Sequence, residues 1–167
     1  MLQWVRNLRQ LPFSQLMQVY AEGNLEKAEE DFGEYPLEVG LRMAEEDFYQ
    51  YLQEVFFRTP GAIYALWMEK GVCVSALRLE PYRDGVLLSA LETAPDHRRF
   101  GYGKQLVLSV LEKLDGKKVY SHVSKTNIAS LALHESCGFL RIKESAVYLD
   151  GSVNSKCCTF CFERACI

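Results

Sequence analysis

The stretch Leu91-Glu92-Thr93-Ala94-Pro95-Asp96-His97-Arg98-Arg99-Phe100-Gly101-Tyr102-Gly103-Lys104 carries most of the information in this chain. Just before its end at Thr93, Val86 to Thr93 is mostly apolar and reads as a central strand covered on both faces. Beyond it, Leu106, Val107, Val110, Leu111 and Leu114 recur at helical spacing and make one apolar stripe. A buried strand ends, a glycine-containing turn follows, and an amphipathic helix runs from about Gly101 to Leu114. The first amides of a helix have no partner inside it and together carry about half a positive charge. Glycines let an anion come close to such a backbone. Arg98, Arg99 and Lys104 add cationic side chains. The stretch reads as an anion site. Taken alone, it also fits a tight turn with solvated arginines. Two phosphate loops are excluded: GxxxxGK[ST] is absent, and GxGxxG fails because Leu106 stands where the third Gly belongs.

Outward from this stretch the chain alternates between element types. Trp4-Val5 suits a short first strand, and Leu11-Pro12 opens a helical segment through Tyr20. Glu22 to Glu34 is acidic, with Glu22, Glu26, Glu29, Glu30, Asp31 and Glu34 opposed only by Lys27. Leu37 to Phe57 reads as a second helix that ends before Thr59-Pro60-Gly61. Ile63 to Met68 and Val72 to Glu80 read as strands, and Asp84-Gly85 marks a hairpin before Val86. Val119 to Val123 is a strand and Ile128 to Cys137 a helix, with Asn127 as N-cap and Gly138 as C′ residue. Phe139 to Leu149 and Ser155 to Phe162 are two last strands, split at Asp150-Gly151. This order implies an α/β (α+β) domain: a mixed, mostly antiparallel twisted sheet flanked by helices, with one parallel pair made by the crossover helix.

Composition bounds the rest. The 167 residues suit a single domain (1–167) with a real core, and 49% hydrophobic with 25% charged residues is a globular balance. Nineteen Lys and Arg against 22 Asp and Glu give a formal charge of −3, without the basic excess of a general nucleic-acid binder. No apolar run is long enough to span a bilayer, and Met1 to Arg6 does not resemble a signal peptide, so the expected compartment is the cytoplasm. Six cysteines (Cys73, Cys137, Cys157, Cys158, Cys161, Cys166) are then expected as reduced thiols. Cys158-Thr159-Phe160-Cys161 has CxxC spacing, but in a strand those two thiols point to opposite faces, and no second ligand pair completes a zinc site.

Two motifs together resemble a known family. Arg98-x-x-Gly101-x-Gly103 resembles the (Q/R)xxGx(G/A) pyrophosphate signature of the GNAT superfamily, the acyl-CoA-dependent N-acetyltransferases, and Leu91 to Pro95 resembles the strand end that precedes it. Asn127-Ile128-Ala129-Ser130-Leu131-Ala132-Leu133-His134-Glu135-Ser136-Cys137-Gly138-Phe139 is similar to the family's Asn-x-x-(Ala/Ser)-x-x-Leu-Tyr-x-x-x-Gly-Phe block. The two blocks stand in the family's order, one helix and one strand apart.

The resemblance implies acetyl-CoA as cofactor, held between two parallel strands that splay apart, here Val86–Thr93 and Val119–Val123. By the same resemblance, the backbone of Leu91 and Thr93 pairs with the pantetheine, amides from Arg98 through Arg99, Gly101, Tyr102 and Gly103 to Lys104 hold the pyrophosphate, and Asn127 and Ser130 touch the other side. The reaction is attack of a neutral amine on the thioester, with the N–H of Leu91 or Thr93 as oxyanion donor. The family's Tyr acid is replaced by His134, either a general acid or a half-exposed helix residue that only touches the sulfur. Its reference pKa of about 6.5 against about 8.5 for a thiol suits an acid that is partly populated at neutral pH. Glu92 is the one carboxylate of its strand and a candidate base if a bulge re-aims it. By plain alternation it faces away from Thr93, Leu91, Ser89 and Leu87. His122 is a weaker candidate. The acceptor site is implied between the first two helices and the late strands, where the acidic connection could draw a cationic small-molecule or peptide amine, or simply be a solvated acidic helix. The expected protein is a monomer or homodimer. The competing reading is a non-catalytic acyl-CoA-binding or sensor domain.

Overall fold

The computed structural model describes residues 1–164, so Cys166 lies outside them. Nine strands and five α-helices are present among these residues: β1 (Leu2–Val5), α1 (Phe13–Val19), α2 (Ala21–Phe32), α3 (Leu37–Glu54), β2 (Ile63–Glu69), β3 (Val72–Tyr82), β4 (Gly85–Thr93), α4 (Tyr102–Lys113), β5 (Lys118–Ser124), α5 (Ile128–Ser136), β6 (Leu140–Lys143), β7 (Ala146–Val147), β8 (Val153–Asn154) and β9 (Cys157–Phe162). Seven strands form one sheet in the order β1-β2-β3-β4-β5-β9-β6. Every neighbouring pair is antiparallel except β4 and β5.

Helices cover both faces of this sheet, which is why β2 to β4 read as nearly continuous apolar runs. On one face Leu106, Val107 and Val110 of α4 pack on Ala65, Leu77, Leu79, Leu88 and Val119. On the other, Leu16 of α1, Leu52 of α3 and Phe56 pack on Tyr64, Leu66 and Ala76. Burying each large side chain of this kind is worth about 1.5–3 kcal/mol. Cys158 and Cys161 both lie on β9, and all five described cysteines are free, Cys158 fully buried. No group of three or more metal-ligating side chains occurs among the described residues, and no described helix is long and apolar enough to cross a membrane.

Two elements refine the sequence reading. The acidic segment takes the helix alternative rather than the connection: most of it is α2. Its Glu, Ala, Leu and Lys residues are strong helix formers, Asn24 and Ala28 supply a narrow buried face, and Lys27 bridges Asp31 at 3.4 Å and Asp47 of α3 at 3.3 Å. The single strand expected over Phe139 to Leu149 is broken. β6 pairs with β9, whereas β7 turns away to form a separate hairpin with β8. The break falls at Glu144-Ser145, where the Ser145 carbonyl accepts a hydrogen bond from Thr159 Oγ1 at 2.8 Å instead of continuing the ladder.

Two irregularities in β4 shape the site. The first is where its pairing stops. β4 runs beside β5 from Gly85↔Lys118 to Leu88↔Ser121 and no farther, so the strands part beyond those residues. The closed end is pinned by Asp84, which accepts from Lys118 Nζ at 2.8 Å and from the Tyr120 hydroxyl at 2.6 Å. The second is a bulge against β3. Arg78 pairs with Ser89 and Ala76 with Glu92, so two β4 residues, Ala90 and Leu91, stand opposite Leu77 alone. Ala90 takes φ +51° there, a left-handed conformation disfavoured for a residue with a Cβ. The bulge reverses the alternation. Glu92 shares a face with Ser89, while Thr93 and Leu91 share the α4 face with Leu88. The expected grouping of Ser89 with Thr93 is thereby corrected.

A buried relay of hydroxyls holds the bulge. Tyr64 donates to the Tyr20 hydroxyl at 2.9 Å, and Tyr20 donates to the Ala90 carbonyl at 2.6 Å. Tyr20→Phe leaves both the carbonyl and the Tyr64 hydroxyl short of a partner. The expected cost is about 1–3 kcal/mol in urea unfolding, with m unchanged.

Candidate functional site

The loop between β4 and α4 is shaped by backbone conformation. A 3₁₀ turn over Pro95–His97 lowers the chain from the sheet. Arg99 at φ +69° and Gly101 at φ +79° then swing it into α4, with Gly101 as N-cap. The consequence is local. The N–H groups of residues 99 to 104 find no hydrogen-bond acceptor among the described residues, and the first of the helix to do so is Gln105, bonded to the Gly101 carbonyl at 2.9 Å. No side chain caps this helix start. The dipole and the free amides therefore face the same space.

Gly103 is buried, and a Cβ there would stand 3.2 Å from Thr93 Oγ1 and 3.5 Å from Leu133 Cδ1. It lets α4 approach both the end of β4 and α5. The resulting cavity of about 540 Å³ is lined by Glu22, Glu92, Thr93 and the loop on one side, and by Asn127, Ser130 and Leu133 on the other. Asn127 Oδ1 accepts the Ser130 N–H at 3.0 Å and so caps α5 as the sequence suggested.

Arg98 departs from expectation. Its guanidinium grips both carboxylate oxygens of Glu22, at 2.9 and 2.8 Å, and its Nε donates to the Thr93 carbonyl at 3.2 Å. The Arg98 charge is thus matched by α2 and is not free for an anion. It acts as a clamp between α2 and the loop, while Arg99 and Lys104 remain exposed. Glu92 sits 3.8 Å from Arg98 with 47% of its side chain exposed. Burial raises its carboxyl above the usual range, Arg98 lowers it, and Glu22 and Glu26 raise it further.

Where β4 and β5 part, a smaller cleft of about 140 Å³ opens, lined by Ser89, Ala90, Leu91, His122, Asn127 and His134 among others. It shares Leu91, Asn127 and Ser130 with the larger cavity, so the two form one groove. His134 is 1% exposed, which excludes the half-exposed alternative. Its ring stacks on Phe160 at 5.5 Å and meets the edge of Phe139 at 5.1 Å. Nδ1 lies 2.7 Å from the Ser130 carbonyl, so it carries the proton and donates it there. Nε2 is buried and has no partner among the described residues. Burial lowers the pKa of the ring, opposed only by the Ser130 carbonyl.

Sequence reasoning undervalued His122 and passed over Ser89. Both ring nitrogens of His122 and the Ser89 hydroxyl are buried and unpartnered among the described residues. His122 is held between Tyr82 and Tyr148, with ring centroids 5.5 and 5.2 Å away. An unpaired buried polar group costs about 1–3 kcal/mol, and three such residues around one cleft point to a polar occupant. Nothing in the one-dimensional pattern places these side chains together. The structure does gather Leu91, Thr93, Arg98, Arg99, Gly101, Tyr102, Gly103, Lys104, Asn127, Ser130 and Glu92 around the larger cavity, but only Leu91, Asn127 and Ser130 of these also reach the cleft that holds His134.

The family model described as Acetyltransferase (GNAT) family matches residues 25–139. This is more than half of the chain, and the protein belongs to that family of acetyltransferases. None of the curated protein sequences compared with the chain matches it significantly. Solved structures agree in fold. An IAA acetyltransferase from Bacillus cereus aligns with TM-score 0.62 at 13% identity, over 98% of this chain and 99% of that one. The ribosomal-protein-S18-alanine N-acetyltransferase from Escherichia coli aligns with TM-score 0.60 at 17% identity, over 98% and 94%. The PaiA N-acetyltransferase from Thermoplasma acidophilum, solved in complex with coenzyme A, aligns with TM-score 0.63 at 12% identity, over 98% and 99%.

The clamp gives a test that requires no ligand. Glu22→Ala removes both acceptors of Arg98 and unties the loop from α2. Amide hydrogen exchange over residues 95–104 is expected to quicken, while the thermal midpoint stays within error of wild type. Unchanged exchange in that segment would show that the loop holds its own shape.

Proposed function

We propose that residues 1–167 form a single N-acetyltransferase domain that takes an acetyl group from acetyl-CoA and gives it to a primary amine by direct attack. The observation that carries this reading is the run of unpartnered N–H groups from 99 to 104 at the mouth of a groove that leads to the β4–β5 cleft. A diphosphate needs several convergent donors and a backbone it can approach. Residues 99 to 104 offer the donors, a Cβ at Gly101 would meet only Gln105 Nε2, at 4.0 Å, and exposed Arg99 and Lys104 add charge. The β4 backbone beyond Leu88, released from β5, is free to pair with an extended ligand bearing amides. Acetyl-CoA would supply an acetyl group activated as a thioester.

The chain's own groups then divide the work. The N–H of Leu91 or Thr93 is the donor for the developing oxyanion, and the missing Cβ at Gly103 leaves room for the Thr93 side chain at that strand end. His134 is the side chain in the cleft that meets the sulfur. Glu92 lines the larger cavity but not the cleft. It therefore serves the approach of the amine rather than the transfer itself. Glu22 and Glu92 give this cavity a carboxylate edge beside Arg98, which favours a cationic acceptor, a small molecule or a peptide amine.

Thiol release from acetyl-CoA across mono-, di- and polyamines and peptide N-termini is expected to exceed the amine-free background, with kcat/KM for polycationic acceptors falling as salt is raised. Binding of acetyl-CoA without release for any amine would identify a binding or sensor domain instead. Gly103→Glu is expected to abolish acetyl-CoA binding in calorimetry by crowding Thr93 and Leu133 and charging the cradle, with the far-ultraviolet dichroism of wild type. Normal affinity in that variant removes the loop from the site.

A further inference from the structure

The hydrogen bond at Nδ1 of His134 has a consequence for the direction in which protons move. A ring nitrogen that donates to a backbone carbonyl holds the only proton of a neutral imidazole. At 2.7 Å from the Ser130 carbonyl, Nδ1 is in that state. Nε2, buried and without a partner among the described residues in a ring that lines the cleft, therefore holds a lone pair. It has nothing to donate at rest. An imidazolium would carry a proton there, but a ring 1% exposed between Phe139 and Phe160 has no carboxylate among the described residues of the cleft to stabilise the charge. The groups that face it are Ser130 on its own helix, Phe139 and Phe160 on its sides, and Ser89, Ser121 and His122 from the strands of the cleft. Of these only His122 titrates, and its pKa is lowered by burial and by the Arg83 charge.

From this geometry, and resting on the acetyl-transfer reading above, we propose that His134 is a proton relay rather than a resting general acid: Nε2 takes the proton from the attacking nitrogen and hands it to the departing sulfur. The balance closes on this one group. The neutral amine's lone pair forms the C–N bond while the carbonyl π pair moves to oxygen. The nitrogen, now cationic, loses one proton to Nε2, which becomes N–H. The oxygen pair returns to carbon, the C–S bond breaks, and the sulfur leaves with the bonding pair. The sulfur then takes the proton from Nε2, and His134 is again neutral, with Nδ1 still bonded to Ser130. Nitrogen and sulfur are attached to the same carbon during the transfer, so one fixed ring can reach both. No separate base is required, in keeping with the absence of any carboxylate from the residues that line the cleft. The Ser130 carbonyl acts as the orienting partner: it fixes the tautomer and stabilises the transient imidazolium.

The first test requires no substrate. In ¹⁵N-histidine-labelled protein, with His134 assigned by its loss in His134→Gln, the ring is expected at pH 7 as the neutral Nδ1–H tautomer. A proton on Nε2 at pH 7, in either the other tautomer or the imidazolium, overturns the relay.

The second test is kinetic. The wild-type kcat/KM, referred to the concentration of neutral amine, is expected to fall on the acid side, with a midpoint below the ordinary histidine value of about 6.5, and to show no fall above neutral pH attributable to loss of an acid. A resting general acid gives the opposite limb. His134→Ala is expected to lower kcat by about 10²-fold or more, to keep acetyl-CoA affinity within about threefold, and to regain activity with added imidazole. A structural role would not give that rescue. If the acid limb vanishes in His122→Gln and persists in His134→Ala, the relay is assigned to the wrong ring and fails. A protein with the expected tautomer that acetylates no amine removes the acetyl-transfer reading and the relay with it. A protein that acetylates amines with the proton on Nε2 removes the relay alone.

Discussion

The release of β4 from β5 after Leu88 and Ser121 is the constraint on which the rest of this molecule turns. A sheet ordinarily continues its ladder, because every unpaired backbone group inside a protein costs free energy. Here the ladder is made to stop. Asp84 ties the near end of the pair to Lys118 and Tyr120, and the bulge at Ala90 turns β4 away at the far end. The Tyr64–Tyr20 hydroxyl chain satisfies the Ala90 carbonyl that the bulge displaces. The strain of a left-handed alanine, of order 1–3 kcal/mol, is carried by the two packed cores on either side of the sheet. What the fold obtains is a strand whose edge is open within an otherwise covered sheet.

Charge in the groove follows from the same layout. The positive element is the backbone: amides of residues 99 to 104 point outward because Gly101 and Arg99 adopt positive φ. The most prominent cationic side chain of the motif, Arg98, is spent on Glu22. A site built on amides asks little of side-chain identity beyond glycine where the chain must turn or pack. That fits a family whose folds align over 98% of this chain at only 12–17% identity. Glu22 of α2 and Glu92 of β4 line the same cavity, so opposite signs meet at one mouth.

Burial supplies the chemistry of the cleft. Ser89, His122 and His134 keep polar atoms away from water without partners among the described residues, and the two rings are fixed by neighbours rather than by a network. His134 is held by two phenylalanines and one carbonyl, His122 by two tyrosines. Rings fixed in this way lose little freedom when a ligand arrives, which is the pre-organisation that catalytic groups need.

Much of this was legible in the residues. The apolar stripe of α4 and the glycines before it located the turn whose amides are left free, and Asn127 and Gly138 bounded α5, because caps, periodicity and glycine conformations act over a few neighbouring residues. The acidic segment was readable as a solvated helix, but its packing was not, because the buried face is made only of Asn24 and Ala28. The face of Glu92 and Ser89 was misjudged because a bulge leaves no mark in a run of apolar residues. The tautomer and charge of His134 could not be read: the first depends on a carbonyl one turn away, the second on aromatic rings from β9 and from the turn after α5. Sequence alone settled which segments turn, cap and bury, since those preferences are local. The tertiary structure decided which polar atoms are left unpaired together, since that depends on where β4 leaves β5 and on what packs over the gap.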